Sequence, residues 1–458
     1  MTLILEQVLA AKEERQARQW QFRGKYGAAI ASITVNIPGS VKDSPVIRQL
    51  CDYAVGALQS RMEVVAAERL NQPTGPFALL AVKSSAPELK AIAIALEEEQ
   101  SFGRLLDIDV FAADGSQVSR QATGGCRSCL LCDRPAVLCM RERNHQPEEI
   151  QTAVQELIRD FIAFETRFVS PLAERIGSFA VEAILYEVSC TPSPGLVDRV
   201  NAGAHRDMDF FTFMTSSAAI SLALARCCEA GIRHQGSLSE LLPVLRLIGR
   251  EGEQAMLTAT QGVNTQKGLL FSLGIAAAAA GWLSAGKRQV TAEAVLAAIA
   301  DMTAGIVERE LVALPDAPDR KLTAGERLFL EHGIRGIRGE MEDGLPAVRD
   351  KALPALRAAL NRGLPVNAAL VQTLFVLMAT VEDTTVMNRH CRDKLYKWVR
   401  PQAEAFLEGG GFYAADGQQR AAELDQEFID HNVSPGGAAD LLAVTWFLHR
   451  LETMRKVQ

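Results

Sequence analysis

Positive charge is in short supply: Lys and Arg number 48 against 55 Asp and Glu, a formal net charge of −7. That balance excludes the electrostatic footprint of a protein that neutralises many phosphates along a nucleic-acid polymer. Small phosphorylated ligands stay compatible, because a few arginines and helix N-termini can hold them. A basic n-region is also missing at the start. MTLILEQVLAAKEERQARQW reaches its first cation at Lys12 and reads as an amphipathic helix rather than a signal peptide, so a cytoplasmic protein is expected. Without export, the nine cysteines read as reduced thiols or metal ligands, not as a disulfide frame. Long hydrophobic runs are scarce. Residues 268–286, GLLFSLGIAAAAAGWLSAG, carry no charge, but their glycines, serines and alanine block are weakly apolar and no aromatic belt flanks them. A buried core helix is expected there, and no membrane contact. No fixed-period repeat appears, and no low-complexity tract beyond that alanine block.

The composition that remains, 48% hydrophobic and 22% charged, is that of an ordinary globular chain. With 458 residues it exceeds the size at which one core stops growing, so two domains are expected. The first mixes periods. AAIASITVNIP (28–38), FALLAVKS (77–84) and RLLDIDVFA (104–112) read as strands, separated by the helical patterns VIRQLCDYAVGALQSRMEVVAAERL and PELKAIAIALEEEQ. From Pro147 the β signal disappears. Helices such as AVEAILYEVS, FFTFMTSSAAISLALARCCEAG, AEAVLAAIADMTAGIVEREL, VNAALVQTLFVLMAT and AADLLAVTWFLHRLETMRK follow one another between Gly, Pro and Asn punctuation. The expected architecture is therefore an α+β domain over residues 1–170, including a bridging helical segment, then an all-α domain over 171–458.

In the first domain, FGRLLDIDV places Asp107 and Asp109 two apart on a strand, so both carboxylates leave one face. Such a pair can hold Mg²⁺ for phosphoryl or nucleotidyl transfer, with Gly103 allowing close backbone approach and Arg104 pairing a phosphate; D-x-D is also common on solvated strands. PGSVKDS (38–44) offers Lys42 and Asp43 as a phosphate contact or as a plain surface loop. CRSCLLCDRPAVLCMRERNH crowds cysteines and a histidine together, and Cys129, Cys132, Cys139 and His145 have spacing that can wrap a tetrahedral Zn²⁺. The second close Cys pair of the stronger zinc signatures is missing, so buried free cysteines are the competing reading.

In the second domain, SPGLVDRVNAGAHRDMDFF (193–211) sets Asp198, Asn201, His205, Arg206, Asp207 and Asp209 between a Pro-Gly turn and an apolar helix. One or two acids there would be dipole complements; so many polar groups exceed what capping needs. GVNTQKG supplies Asn264 and Lys267, and GIRGIRGEMEDG a glycine-punctuated charged loop. VEDTTVMNR supplies Glu382, Asp383 and Arg389. NVSPGGAADLL presents Ser434, Gly436 and Gly437 at a helix start, with Asp440 in its first turn. Together these loops point to one site for a phosphorylated ligand with a divalent metal.

At these residues the second domain resembles triphosphoribosyl-dephospho-CoA synthase, through PGLVDRVNAGAHRDMDF, GVNTQKG, EDT and SPGGAADLLAVT. The first resembles apo-citrate lyase phosphoribosyl-dephospho-CoA transferase, through EERQARQ, PGSVKDS, GRLLDIDV and CLLC with its later Cys and His. The resemblance implies a nucleotidyltransferase-like first domain, ATP and 3'-dephospho-CoA as substrates, and the apo acyl carrier subunit of citrate lyase as partner. The second domain would join the 2'-OH of 3'-dephospho-CoA to C1 of the ATP ribose and expel adenine. The first would then move phosphoribosyl-dephospho-CoA onto a carrier serine, releasing pyrophosphate. Asp198, Asp207 and Asp209 are then assigned to metal and ribose, and His205 or one of the acids to deprotonating the 2'-OH. Lys267, Arg206 and the Ser434–Gly437 turn are assigned to phosphates, with Asn264 beside them. Glu382, Asp383 and Asp440 are further Mg²⁺ ligands, Asp107 and Asp109 hold Mg²⁺ in the first domain, and Arg104 takes the leaving pyrophosphate.

Two departures stand out. The synthase pattern reads GVNTHKG where this chain has Gln266, which cannot exchange a proton near neutral pH, and TPKPG where it has Ser193. Rival readings are the same chemistry in service of malonate decarboxylase, and a non-catalytic zinc-binding assembly factor for the carrier.

Overall fold

The computed structural model describes residues 5–39, 41–120, 125–313 and 322–453. They divide into two compact units, Met1–Arg167 and Phe168–Gln458.

The first unit is built on one four-stranded sheet of order β2-β3-β1-β4, antiparallel throughout. In chain order it runs α1 (Leu5–Tyr26), β1 (Ala29–Val35), α2 (Pro45–Arg61), β2 (Val64–Gln72), β3 (Gly75–Val82), α3 (Ala86–Glu98), β4 (Leu106–Phe111), α4 (Ala136–Glu142) and α5 (Pro147–Glu165). Central β3 is buried along its whole length. On one face Phe22 of α1 packs with Ile30, Phe77, Leu79 and Ala81; the other face carries the alternate residues, among them Ile33, Ala78 and Leu80, and is covered by the apolar stripes of α2 and α3. The EERQARQ segment lies in α1, where Arg18 bridges Glu14 and Glu68 of β2.

One expected helix is corrected. The pattern from Val46 to Leu70 is not continuous: α2 stops at Arg61, Met62 is extended, and Val64–Gln72 is an edge strand paired with β3. Its exposure alternates residue by residue, the signature of a half-covered strand, and the ladder outweighs the helix propensity of AAERL. Likewise Arg104 and Leu105 belong to a short 3₁₀ turn ahead of β4.

The second unit is helical: α6 (Pro171–Ser189), α7 (Phe210–Arg233), α8 (Leu242–Ala259), α9 (Lys267–Ala285), α10 (Ala292–Thr303), α11 (Ala324–His332), α12 (Gly336–Glu342), α13 (Leu353–Asn361), α14 (Val366–Thr380), α15 (Thr384–Arg389), α16 (Arg392–Lys394), α17 (Arg400–Glu408), α18 (Gly417–Asp430) and α19 (Gly436–Thr453). The helix expected through AEAVLAAIADMTAGIVEREL breaks after Thr303, where Gly305 takes a left-handed conformation. By length and composition α7 and α9 could each cross a membrane, yet α9 is mostly buried inside the unit. Its small residues explain the packing. A Cβ on Gly281 would strike the Cys228 carbonyl and one on Gly231 the Ala278 carbonyl, so α7 and α9 approach more closely than larger side chains permit.

Candidate functional site

In the first unit, β4 buries Leu106, Ile108 and Val110 and turns Asp107 and Asp109 to the opposite face, opposite Thr34 and Ser32 of β1. Asp107 pairs with Arg127 at 3.0 Å, and Asp109 accepts from Gln117 at 2.9 Å. Burial, then the neighbouring Asp107, pushes the Asp109 carboxyl above its ordinary range. Two groups from α3 complete this edge: Lys90 donates to the Ile108 carbonyl at 2.9 Å and Glu97 accepts from the Ile108 N–H at 2.8 Å. Glu97 also pairs with Arg120 at 2.9 Å. These residues enclose a pocket of about 280 Å³. Sequence reading missed Lys90, Glu97, Arg120 and Arg127; only the tertiary fold brings them to the D-x-D strand. Arg104 lies outside this pocket's wall, its guanidinium donating to the main-chain carbonyls of Cys129 and Leu130. Lys42 donates to the Ile37 carbonyl and Asp43 pairs with Arg48, while Ser40 of the same loop lies outside the described residues.

Cys129, Cys132, Cys139 and His145 converge, with their ligand atoms all within 4.8 Å of one another. Burial raises the Cys129 thiol, but the Leu131 and Cys132 N–H groups and neighbouring thiols outweigh it and bring it down to about 7.

In the second unit the polar loops gather around a cleft of about 500 Å³. The 193–209 loop is held from within. Asp198 is buried and accepts from the N–H groups of Val200 at 2.7 Å and Asn201 at 3.0 Å, while Asp425 of α18 accepts from Gly195 N–H and the Asn201 amide, both at 2.9 Å. His205 and Asp207 then reach the cleft. His205 Nε2 lies 2.9 Å from Ser434 Oγ, and the Arg389 guanidinium donates to Nδ1 at 3.4 Å. Because arginine only donates, Nδ1 is the acceptor and Nε2 carries the proton toward Ser434. Burial, then Arg389, depresses the His205 pKa, against the opposing pull of Asp207, and so favours the neutral ring.

The cleft floor carries two carboxyls that lack any hydrogen-bond partner among the described residues: Glu187 in the last turn of α6 and Asp440 in the first turns of α19. Burial pushes each to about 8; Asp440 adds to the rise at Glu187, and Asp383 to that at Asp440. Asp440 lies against Gly268 so closely that a Cβ there would strike Oδ2. Gly268 and Leu269, whose N–H groups belong to the first turn of α9, line the same wall. Cations ring the mouth: Lys267, paired with Glu253; Arg335, paired with Asp343; and Arg389. Asn264, Glu382, Ser434, Gly436 and Gly437 also line it, Glu382 accepting from the Tyr396 hydroxyl at 2.6 Å.

Four expected site residues do not line the cleft. Asp198 organises its own loop, as above. Asp209 caps α7, accepting from Thr212 N–H at 2.8 Å, and Arg206 is exposed away from the lining. Asp383 is buried as a double cap: one oxygen accepts from Thr385 and Val386 N–H at the start of α15, the other from Ala438 N–H at the start of α19. This also alters the Ser-Pro-Gly-Gly anion site, whose Gly437 and Ala438 N–H groups are already taken by Asp383. Gln266, which stands where the synthase pattern has histidine, is a packed amide: Oε1 accepts from Ser216 at 2.6 Å and Nε2 donates to Ser217 at 3.3 Å.

The chain is similar to two families in succession. Residues 3–161 match apo-citrate lyase phosphoribosyl-dephospho-CoA transferase, and residues 173–457 match ATP:dephospho-CoA triphosphoribosyl transferase. A protein named CitXG from Leuconostoc mesenteroides subsp. cremoris is 34% identical over 459 residues, covering 98% of this chain and 97% of its own. A probable 2-(5''-triphosphoribosyl)-3'-dephosphocoenzyme-A synthase of Malonomonas rubra is 43% identical over 277 residues, 60% of this chain and 87% of its own. The synthase of Pectobacterium atrosepticum is 44% identical over 272 residues, 59% of this chain and 87% of its own.

Proposed function

The chain belongs to the ATP:dephospho-CoA triphosphoribosyl transferase and apo-citrate lyase phosphoribosyl-dephospho-CoA transferase families, joined in one polypeptide, and from that premise we infer how its residues divide the work. It is a bifunctional transferase that synthesises the prosthetic group of citrate lyase and attaches it. The helical unit makes 2'-(5''-triphosphoribosyl)-3'-dephospho-CoA and adenine from ATP and 3'-dephospho-CoA. The α+β unit transfers phosphoribosyl-dephospho-CoA to a serine of the apo acyl carrier subunit and releases pyrophosphate. The burial of α9 in its own unit fits a soluble, cytoplasmic enzyme.

The observation that carries the assignment of the synthase site is the Glu187–Asp440 pair. Two buried acids, raised by burial and by acidic neighbours and without a hydrogen-bond partner among the described residues, suit a divalent cation. They would hold Mg²⁺, with Glu382 at the rim; bound there, it would neutralise triphosphate charge. Lys267, Arg335 and the first turn of α9 face the triphosphate. The 2'-oxygen forms a bond to ribose C1 as the bond to adenine N9 breaks, and the 2'-OH proton is lost as adenine gains one. Asp207, exposed on the loop, accepts that proton, while neutral His205 orients Ser434 toward the ligand. The transition state at C1 has oxocarbenium character, which nearby carboxylates stabilise.

In the first unit, Asp107 and Asp109 would hold Mg²⁺ in a nucleotidyltransferase-like arrangement, with Arg120 and Arg127 beside the phosphates. The donor set fits: Asp109 is raised by burial and by Asp107, the repulsion a cation relieves. Arg104 is absent from the lining of this pocket, whereas Arg127 and Arg120 belong to it, so the pyrophosphate contact moves to them. The test is incubation of the purified chain with ATP, Mg²⁺ and 3'-dephospho-CoA, following adenine and the mass of the CoA product, then addition of apo carrier. Adenine, the triphosphoribosyl adduct and a modified carrier are expected. No adenine from folded protein would overturn the synthase assignment, and an unmodified carrier would leave an assembly factor.

A further inference from the structure

We propose that Cys129, Cys132, Cys139 and His145 bind a structural zinc ion that fixes the loop carrying Arg127 against Asp107. A tetrahedral site with metal–sulfur bonds of about 2.3 Å and metal–nitrogen bonds of about 2.0 Å has edges of about 3.5–3.8 Å. Cys132 Sγ lies 3.5 Å from both Cys139 Sγ and His145 Nε2, and all four ligand atoms fall within 4.8 Å. That is far beyond a disulfide bond and close to the separations a zinc ion imposes.

The local chain is folded as a metal loop. Cys129 N–H donates to the Arg134 carbonyl at 2.7 Å and Ala136 N–H to the Arg127 carbonyl at 2.8 Å, closing a hairpin around Cys129 and Cys132. Cys139 comes from the short helix α4, which ends at left-handed Arg143, and His145 follows. The Asn144 amide donates to Cys139 Sγ at 3.8 Å, an outer contact of the kind that orients a metal thiolate. What the segment lacks is a core. Val137, Leu138 and Met140 are exposed, and its buried apolar side chains are the ligands Cys129 and Cys139. So small a piece of chain needs a staple to hold one conformation.

The loop is fastened to the acidic strand in both directions. Arg127 donates to Asp107 Oδ1 at 3.0 Å and to the carbonyls of Arg104 and Leu106, while Arg104 donates back to Cys129 and Leu130. Zinc therefore acts as a positioning ion, remote from the reacting atoms. This last consequence rests on the carrier-transferase reading, whereas zinc binding does not.

The test is elemental analysis of the full chain purified without chelator, together with the visible spectrum after cobalt exchange. About one zinc per chain and the intense bands of a tetrahedral cobalt thiolate are expected, both lost in Cys132→Ser. Carrier modification should fall at least tenfold in that variant, with adenine release unchanged, since that reaction belongs to the other unit. Zinc-free protein with thiols that titrate freely, or with a Cys132–Cys139 disulfide, would overturn the proposal. Zinc retained in Cys132→Ser would do so as well. A full zinc content with no carrier transfer in the parent chain would instead count against the transferase reading alone.

Discussion

Glu187 and Asp440 come from helices at opposite ends of the second unit's sequence and share one cleft floor, each held near pKa 8 by burial and by acidic neighbours. Their ordinary values are 4.5 and 3.8, so the metal-free fold binds more protons than the unfolded chain between those values and about 8. Stability from these groups is therefore present at low pH and is lost as pH rises through 8. We expect the melting temperature of chelated protein to fall between pH 6 and pH 8.5 and Mg²⁺ to restore most of it at the higher pH. A calorimetric scan at both pH values, with and without Mg²⁺, checks this. Glu187→Gln and Asp440→Asn should stabilise the chelated protein at pH 8.5 while lowering adenine release about a hundredfold or more. A paired carboxylate of purely structural role would lose both.

Asp383 separates capping from metal binding. It satisfies N–H groups at the starts of two helices, so Asp383→Ala should cost about 2 kcal/mol or more, seen as a lower urea midpoint. Asp383→Asn keeps an accepting oxygen, and we expect it to retain the Mg²⁺ concentration dependence of adenine release. A large shift in that dependence would return Asp383 to the ligand set.

Much of this arrangement was legible because loop chemistry is local. The Pro-Gly, Gly-Val-Asn-Thr and Ser-Pro-Gly-Gly turns announce where helices begin, and their polar residues reach one cleft through His205, Asp207, Asn264, Lys267 and Ser434. What each acid does there is set by neighbours the chain order hides. Asp198 and Asp383 have carboxylates like that of Asp440, but backbone N–H groups from loops and helix starts occupy their oxygens. Glu187 had a signal that went unread: it falls on the buried stripe Ala180, Ala183, Ile184, Glu187, Val188 of α6, where an acid is out of place without a function. Strand β2 was hidden for a different reason. AAERL is a good helical sequence, and its partner β3 overrides that preference only once the sheet exists.

Gln266 stands where the synthase pattern has histidine, and its amide is consumed by Ser216 and Ser217 of α7. A residue so engaged fixes the α7–α9 junction and leaves Lys267 and Gly268 in place. Gln266→Ala should strand buried hydroxyls and cost about 1–3 kcal/mol, measurable by denaturant unfolding. Gln266→His supplies a donor and an acceptor again, and we expect adenine release within a few fold of the parent. A gain of a hundredfold with histidine would mean that the ring exchanges protons in the reaction.

The two reactions should be separable by substitution within one chain. Asp107 and Asp109 sit on β4 of the first unit, while the cleft proposed for synthesis lies wholly in residues of the second. Asp107→Asn frees Arg127 from its ion pair and removes half of the acidic pair, so carrier modification should drop about a hundredfold or more. Adenine release in the same preparation should be unchanged, which also reports that the protein is folded. Supplying purified 2'-(5''-triphosphoribosyl)-3'-dephospho-CoA should not rescue this variant, because its defect lies after synthesis. The same compound should fully rescue carrier modification by Asp440→Asn, whose first unit is intact. If Asp107→Asn instead lowered adenine release as strongly as transfer, the two units could not be acting as independent catalysts.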